Sequence, residues 1–361
     1  MASRSMQRWR GLVGWIAALA LAGAGPSQAG SPPEYLITDR DAAGDFDTPV
    51  SRVEDVTFDS LAGRWCFVND STVALGCTDK SGTVLQTLDD SDFQAYLAGE
   101  GVANPQLYVR ETEMIAYDAQ GDGIYVGNNV NAPTLCDEPG TGVRDLAALF
   151  YLTRSSPADD WTFSDYWLLP SMNDCPLFPP LVFHYAGVIA VDGVVFFHTD
   201  KSYTSAGGES VVKGIYEFDL VQNDFVDLDS PAFAYDTSGG FVRPRRLEYD
   251  SLEGQVYVME YSSSTPGEMR VLQIDWPSRT AVIENDLIAF GQDPPVSGFL
   301  HASRGAAVDS AAKRMRIGNN HSTDPNSLLF VMPEPGSTTL LLFGMAALVV
   351  AHRARRLDPS E

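Results

Sequence analysis

Basic side chains are scarce in this chain of 361 residues, in which 24 lysines and arginines stand against 48 aspartates and glutamates. The formal net charge is −24 at pH 7, and a surface of that sign repels the phosphates of nucleic acids and of anionic lipids. The composition therefore excludes nucleic acid as a partner. It does not indicate disorder, because hydrophobic residues make up 44% and aromatic residues 11%, enough for a folded core.

Familiar catalytic and metal-binding motifs are also missing. The chain has no Gly-x-Ser-x-Gly, no His-Glu-x-x-His and no Gly-x-x-x-x-Gly-Lys-Ser/Thr sequence, which excludes common signatures of serine hydrolases, zinc proteases and P-loop nucleotidases. It has no Cys-x-x-Cys pair, so no metal site and no cofactor are predicted. The acidic segment 39–47 has enough carboxylates to hold Ca²⁺, but a solvated acidic loop is the preferred interpretation.

The N-terminus has the three parts of a secretory signal peptide. Three arginines precede an apolar run over 11–24, and Ser27-Gln28-Ala29 is a small-x-small cleavage site. The apolar run has about 14 residues, fewer than the roughly 20 that a membrane helix needs. A cleaved signal over residues 1–29 is therefore preferred to a membrane anchor.

The C-terminus contains three consecutive sequence elements: a Pro-Glu-Pro motif, an apolar run and a basic cluster. Pro333, Glu334 and Pro335 precede an apolar run over 338–351, and a cluster of arginines comes next. In this order the parts resemble the PEP-CTERM sorting signal, and the resemblance covers residues 333–361. A permanent single-span tail anchor is the alternative.

The resemblance implies an exported protein and a set of partners. An exosortase-type processing enzyme would recognise the tail, and the hydrophobic helix would contact the membrane before processing. The arginines would stay on the cytoplasmic side, as basic residues that flank membrane segments do. The processed chain would then reside at the cell surface or outside the cell, in association with exopolysaccharide, biofilm or surface proteins.

Four cysteines lie between the two terminal signals, namely Cys66, Cys77, Cys136 and Cys175. An even number in an oxidising compartment predicts two disulfides. Cys66 and Cys77 flank a short hairpin, which places them on neighbouring strands. Sequential pairing, Cys66 with Cys77 and Cys136 with Cys175, is therefore favoured over the two other pairings.

One pattern recurs five times between residues 30 and 332, and it consists of a strand that ends in aspartate, a tight turn and a β-branched or aromatic strand. A third strand follows in every copy and a fourth in four copies. Four short antiparallel strands per repeat predict an all-β, five-bladed β-propeller domain, with a β-sandwich or β-helix as alternatives. The repeated aspartates, which we call the anchor aspartates, are Asp59, Asp118, Asp192, Asp250 and Asp309.

The first hairpin of each copy loosely resembles the NHL and YVTN repeats of bacterial propellers. The fifth copy lacks a fourth strand, and the strand-like segment 34–38 is predicted to supply it, closing the ring between the two ends of the chain. Six blades are the alternative, if segment 89–109 or segment 136–180 contains a degenerate blade.

A basic or imidazole side chain stands seven or eight residues before each anchor aspartate. The innermost strand of a blade lines the central channel, so these five residues are predicted to surround one mouth of it, with Arg245 and Arg304 nearby. Such a ring suits an anion, a phosphate or a sugar that carries a carboxylate. Ion pairing that holds the blades together is the alternative role. The five candidates are Arg52, Arg110, His184, Arg243 and His301.

Two functions are compatible with this domain. The first is non-enzymatic binding at the surface, linked to exopolysaccharide or biofilm. The second is a polysaccharide-active or lactone-type hydrolase or lyase that uses the channel mouth, which requires paired carboxylates facing a cleft. Only Glu54, Glu111 and Glu113 are predicted near the mouth, and no catalytic residue is assigned. Binding is the preferred hypothesis.

Overall fold

Five small antiparallel sheets follow one another along the chain, and the innermost strand of each contacts the innermost strands of its two neighbours. The ring is a five-bladed β-propeller, which confirms the fold predicted from the repeat. The structure is a computed structural model, and it describes residues 39–69, 73–109, 112–128, 147–169, 183–204, 210–235, 244–261, 269–286, 303–320 and 325–332.

The strands are numbered in chain order, and the described residues also contain one α-helix, α1 (Asp90–Gly99), and two 3-10 helices, Ala42–Gly44 and Pro105–Tyr108. The strands are β1 (Asp39–Arg40), β2 (Asp55–Asp59), β3 (Arg64–Val68), β4 (Val73–Thr78), β5 (Val84–Asp89), β6 (Thr112–Asp118), β7 (Gly123–Asn128), β8 (Ala148–Thr153), β9 (Thr162–Leu168), β10 (Gly187–Val191), β11 (Val194–Thr199), β12 (Tyr203–Thr204), β13 (Ser210–Val211), β14 (Gly214–Asp219), β15 (Asp224–Phe225), β16 (Phe233–Ala234), β17 (Pro244–Asp250), β18 (Gln255–Tyr261), β19 (Met269–Asp275), β20 (Thr280–Asp286), β21 (Ser303–Asp309), β22 (Arg314–Asn319) and β23 (Ser327–Val331).

Each blade is a meander of neighbouring strands. Blade one contains β2 to β5, blade two β6 to β9, and blade three β10, β11, β14 and β15, with β16 beside β14. Blade four contains β17 to β20, and blade five β21 to β23 followed by β1. The end of the ring where β2, β6, β10, β17 and β21 begin is called the mouth. The opposite end, where these strands reach the anchor aspartates, is called the turn end.

The anchor aspartates stabilise both their own hairpins and the contacts between blades. One oxygen of Asp59 accepts hydrogen bonds from two amides of the following turn, at 3.1 and 2.9 Å, and its other oxygen binds Arg154 of blade two. Asp250 likewise caps its turn and accepts from Ser310 of blade five. Asp309 binds Lys80 of blade one. A short acceptor at this position therefore serves two purposes at Asp59, Asp250 and Asp309.

The last blade is completed by the N-terminal strand, as predicted. Strand β1 pairs antiparallel with β23, and Asp39 lies opposite Val331. The predicted segment 34–38 lies outside the described residues, and the pairing occupies the two residues that follow it. Arg316 supports the closure, because it donates to the Gly44 carbonyl at 2.8 Å and stacks 4.0 Å from the Phe46 ring.

The alternative of a sixth blade within 89–109 is wrong. Residues Asp90–Gly99 form helix α1, whose first turn is capped by the Asp89 carboxylate. In return, the Asp92 carboxylate accepts a hydrogen bond from the Asp89 amide. Phe93 and Leu97 are buried against the outer strands of blades one and two. The helix therefore covers the ring from outside. Part of the second candidate segment, 147–169, supplies β8 and β9 of blade two.

The disulfide predicted between Cys66 and Cys77 is present, and it joins directly opposed positions of β3 and β4. Cys136 and Cys175 lie outside the described residues, so their pairing stays a prediction. The same holds for the two terminal signals, over 1–29 and 333–361. Within the described part of the chain, none of the helices has the length and hydrophobicity to cross a bilayer.

Candidate functional site at the mouth of the ring

The buried side chain of Arg246 occupies the centre of the ring. It comes from blade four, yet its Nη2 lies 3.1 Å from a carboxylate oxygen of Glu54 in blade one and 3.1 Å from one of Glu113 in blade two. Its Nη1 donates to the carbonyl of Ala186, just before β10 of blade three. Burial alone would lower the pKa of this guanidinium, but Glu113, Asp55 and Glu54 raise it. A single cation thus joins four blades.

A second side chain of blade four, Glu248, crosses the ring nearer the turn end. Its carboxylate accepts from the Thr57 hydroxyl at 3.0 Å and from the Phe58 amide at 3.1 Å, both in blade one. The Thr57 hydroxyl oxygen in turn accepts from the Tyr117 amide of blade two at 3.0 Å. Burial raises the pKa of Glu248 well above its ordinary value. At this level buried polar groups of blades one, two and four contact one another across the ring.

Three innermost strands carry β-bulges where they begin at the mouth. Glu113 in β6 and Arg245 in β17 are each an extra residue relative to the partner strand. In β21, Arg304 and Gly305 stand where the partner strand has one residue. A bulge redirects a side chain by breaking the alternation of the strand, and bulges are over-represented beside active sites. Each of these bulges contains a charged residue.

The bulged residues and their neighbours form what we call the mouth cluster, namely Glu54, Glu113, Arg245, Arg246 and Arg304. Arg304 is half-buried, with 33% of its side chain exposed, and its Nη1 lies 3.9 Å from a carboxylate oxygen of Glu54. Arg245 is half-buried. The cluster contains three guanidinium groups and two carboxylates, and two further carboxylates, Asp55 and Asp200, lie close to its arginines.

An oriented imidazole lies at the same end of the ring, in blade three. The Nδ1 of His184 is 3.0 Å from a carboxylate oxygen of Asp200, and its Nε2 is 3.1 Å from the ammonium nitrogen of Lys201. His184 precedes β10, and the other two residues follow β11, so the hairpin brings them together. His184 and Asp200 are buried, whereas Lys201 is exposed. The three residues are called the imidazole triad.

The groups around Asp200 favour the charged form of its carboxylate, although this side chain is buried. Burial alone would raise the pKa of Asp200, but His184, His198 and Arg245 hold it well below its ordinary range. His198 is fully buried between the Arg245 carbonyl, at 3.1 Å, and the Tyr235 hydroxyl, at 3.3 Å. Burial lowers the pKa of His198 to about 4. The imidazole of His198, which lies on the interior side of Asp200, is therefore neutral.

The five predicted ring residues are only partly within the described chain. His184 lies at the mouth in the imidazole triad, and Arg52 is exposed before β2. Arg110, Arg243 and His301 lie outside the described residues, so the complete ring stays a prediction. A second regularity of the sequence indicates residues at the mouth. The charged residues five positions before four of the anchor aspartates are Glu54, Glu113, Arg245 and Arg304.

The mouth also contains a pair of carboxylates. Glu54 and Glu113 each have an oxygen 3.1 Å from the same Nη2 atom of Arg246, so these oxygens are at most twice that distance apart. A separation of about 5 to 10 Å is the range used by glycoside hydrolases. Both carboxylates are buried and bind one shared cation. Among the described residues, no group of three or more His, Cys, Asp or Glu side chains could hold a metal ion.

Comparison with known proteins yields structural likeness only. No protein-family model matches the chain, and no curated protein is significantly similar to it. The chain is similar to the hydrazine synthase of Kuenenia stuttgartiensis, with 12% identity, 76% of this chain covered and a TM-score of 0.34, and it spans 57% of that protein's length. It is also similar to a luciferin-regenerating enzyme, with 9% identity, 82% of this chain and 94% of that chain covered, and a TM-score of 0.43.

Proposed function

We propose that this chain is an exported cell-surface or extracellular-matrix protein whose propeller mouth binds acidic polysaccharide without cleaving it. The observation that carries the proposal is the pair of bulges that direct Arg245 and Arg304 to the mouth, in the same region as the exposed Lys201. Guanidinium groups bind carboxylates through paired, charge-assisted hydrogen bonds. A uronic-acid polymer offers such carboxylates at regular intervals.

Export and sorting belong to the same proposal. The parts of a signal peptide over 1–29 and of a PEP-CTERM tail over 333–361 support them, with an exosortase-type enzyme as the processing partner and the membrane as a temporary contact. The disulfide between Cys66 and Cys77 is consistent with an oxidising compartment. Association with exopolysaccharide or with other surface proteins follows from that location.

Binding is favoured over catalysis by the state of the carboxylates. A glycoside hydrolase needs one carboxyl group that protonates the leaving oxygen and a second that reaches the sugar or a water molecule. Glu54 and Glu113 are buried and bound to Arg246. The half-buried charged groups of the mouth cluster are Arg245 and Arg304, and arginines bind anions but do not transfer protons at neutral pH.

The test is a binding measurement with the full chain purified in mild detergent. The probe is an oligogalacturonate, and its methyl-esterified form, which has no charge, is the control ligand. We expect binding of the charged form alone, and a loss of about tenfold or more in affinity for Arg304→Gln, because a charge-assisted hydrogen bond contributes about 1.5–3 kcal/mol. The matched control is Lys313→Gln, which removes a cation at the turn end.

Equal binding of the charged and esterified probes, or of the Arg304→Gln variant and the unmodified chain, would contradict the proposal. A polysaccharide hydrolase or lyase is the second candidate, because Glu54 and Glu113 form a pair of carboxylates at the mouth, each in contact with Arg246. Product analysis after prolonged incubation with the same probe distinguishes the two. Release of shorter or unsaturated sugars that is abolished by Glu113→Gln would favour the enzyme.

A further inference from the structure

The contacts of the imidazole triad fix where the proton of His184 resides. A lysine ammonium is a donor and has no acceptor capacity, so Lys201 donates to Nε2 of His184 across 3.1 Å. The single proton of the neutral imidazole is then on Nδ1, which lies 3.0 Å from a carboxylate oxygen of Asp200. In the ligand-free protein, Lys201 therefore covers the basic nitrogen of an oriented, uncharged imidazole.

Lys201 is the one exposed member of the triad, and its side chain is long and flexible. A carboxylate that enters the mouth attracts this ammonium, because a charged acceptor forms a stronger hydrogen bond than a neutral ring nitrogen. If Lys201 turns to the ligand, Nε2 of His184 loses its donor. The imidazole is then left between the Asp200 carboxylate and the negative charge of the ligand.

We propose that the mouth binds a ligand carboxylate together with one proton. Lys201 moves from His184 to the ligand, and a proton from solvent binds to the vacated Nε2, so that the imidazole becomes an imidazolium. Two negative charges on either side favour this charged form. The inference rests on the proposed binding function and adds to it a coupling between affinity and pH.

The other titratable groups around the triad do not take up this proton. His198, the nearest imidazole behind Asp200, has a pKa that burial lowers to about 4. Burial raises the pKa of Tyr235, its hydrogen-bond partner, far above neutral, so the phenol stays protonated. Asp200 has a strongly depressed pKa and Arg245 stays charged, which leaves His184 as the group that changes state.

The first measurement is isothermal titration of the full chain with oligogalacturonate in two buffers of different ionisation enthalpy at one pH. The difference in heat gives the number of protons taken up. We expect a net uptake of up to one proton per bound carboxylate, and an affinity that falls by up to about tenfold per pH unit as the pH rises. Lys313→Gln is expected to show the same uptake, and His184→Gln, which cannot titrate, to bind with none.

The second measurement needs no ligand. Nitrogen-15 chemical shifts of the imidazoles report which ring nitrogen carries the proton, and His184 is expected to be protonated at Nδ1 alone. A proton on Nε2 in the free protein would overturn the inference. So would binding of the probe without proton uptake, which leaves the proposed function intact. Absence of binding in both buffers would overturn the proposed function and the inference together.

Discussion

Replacing Glu248 by glutamine is expected to stabilise this protein at neutral pH, although it removes a buried side chain from the centre of the ring. A glutamate in an unfolded chain titrates near pH 4.3, and burial raises the pKa of Glu248 well above that value in the folded ring. The negative charges of Asp55 and Asp250 act in the same direction. The folded protein therefore retains a proton that the unfolded chain releases.

The sign of the effect follows directly from this difference. The contribution of Glu248 to stability is fully present below the unfolded pKa and is lost as the pH rises through the folded pKa. The loss amounts to about 1.4 kcal/mol per pH unit between the two values. A glutamine has no proton to lose, and its carbonyl oxygen can still accept from the Thr57 hydroxyl and the Phe58 amide, as the carboxylate does.

The assay is urea unfolding of both proteins, followed by tryptophan fluorescence at several values between about pH 4 and about pH 8. Near the lower limit the free energies of unfolding should agree within about 0.5 kcal/mol, and the advantage of Glu248→Gln should grow as the pH rises. Glu217→Gln, at an exposed position of β14, controls for the change in net charge. A difference that does not vary with pH, or a variant that is less stable at the upper limit, would refute the reasoning.

Three further changes test the contacts that hold the ring. Arg246→Met leaves two buried carboxylates without their shared cation and should lower the free energy of unfolding in urea by about 3–5 kcal/mol. Replacing Glu54 and Glu113 by glutamine in the same chain should restore part of this loss. The double change Cys66→Ala with Cys77→Ala removes a bridge across 11 residues and should lower stability by about 2–3 kcal/mol. A chain that lacks residues 39–47 exposes the edge of β23 and should self-associate in size-exclusion chromatography, whereas the intact chain is expected to elute as a single species.

Much of the ring could be predicted because its signals are local. A strand, an aspartate, a turn and a second strand occupy fewer than about 20 residues, and hairpin chemistry is visible over that length. The outer strands are less regular. The fourth strand of blade three, for example, consists only of Asp224–Phe225, which pairs with β14. A strand at the edge of a blade has one neighbour, so its length depends on contacts that periodicity does not reveal.

Helix α1 could have been recognised, since its start has the signature of a capping box. The Asp89 carboxylate caps the amides of Ser91 and Asp92, and the Asp92 carboxylate accepts the Asp89 amide. Because the repeats on either side consist of strands, segment 89–109 was also compatible with a sixth blade. The capping box is the sequence feature that distinguishes this helix from the strands of the repeat.

The candidate site was harder to predict because its contacts join distant parts of the chain. The residues that Arg246 binds, Glu54 and Glu113, are 192 and 133 positions away in sequence. Counting seven or eight residues back from the anchor aspartates found His184, whereas counting five residues back finds Glu54, Glu113, Arg245 and Arg304. Three of these four residues lie in bulges, which break the alternation that a regular strand would keep, so a strict period of two does not predict where their side chains lie.

The pairing of β1 with β23 has a consequence for how the protein can be made. A ribosome delivers the N-terminal partner of the last sheet first and its C-terminal partner, Ser327–Val331, almost at the end. Blades one to four can form as they emerge, but the fifth blade must wait until nearly the whole chain is available. The residues that follow β23 begin the predicted sorting tail, so completion of the ring and arrival of that tail should nearly coincide. A processing step that acts on the tail would then act on a chain whose last sheet is just able to form.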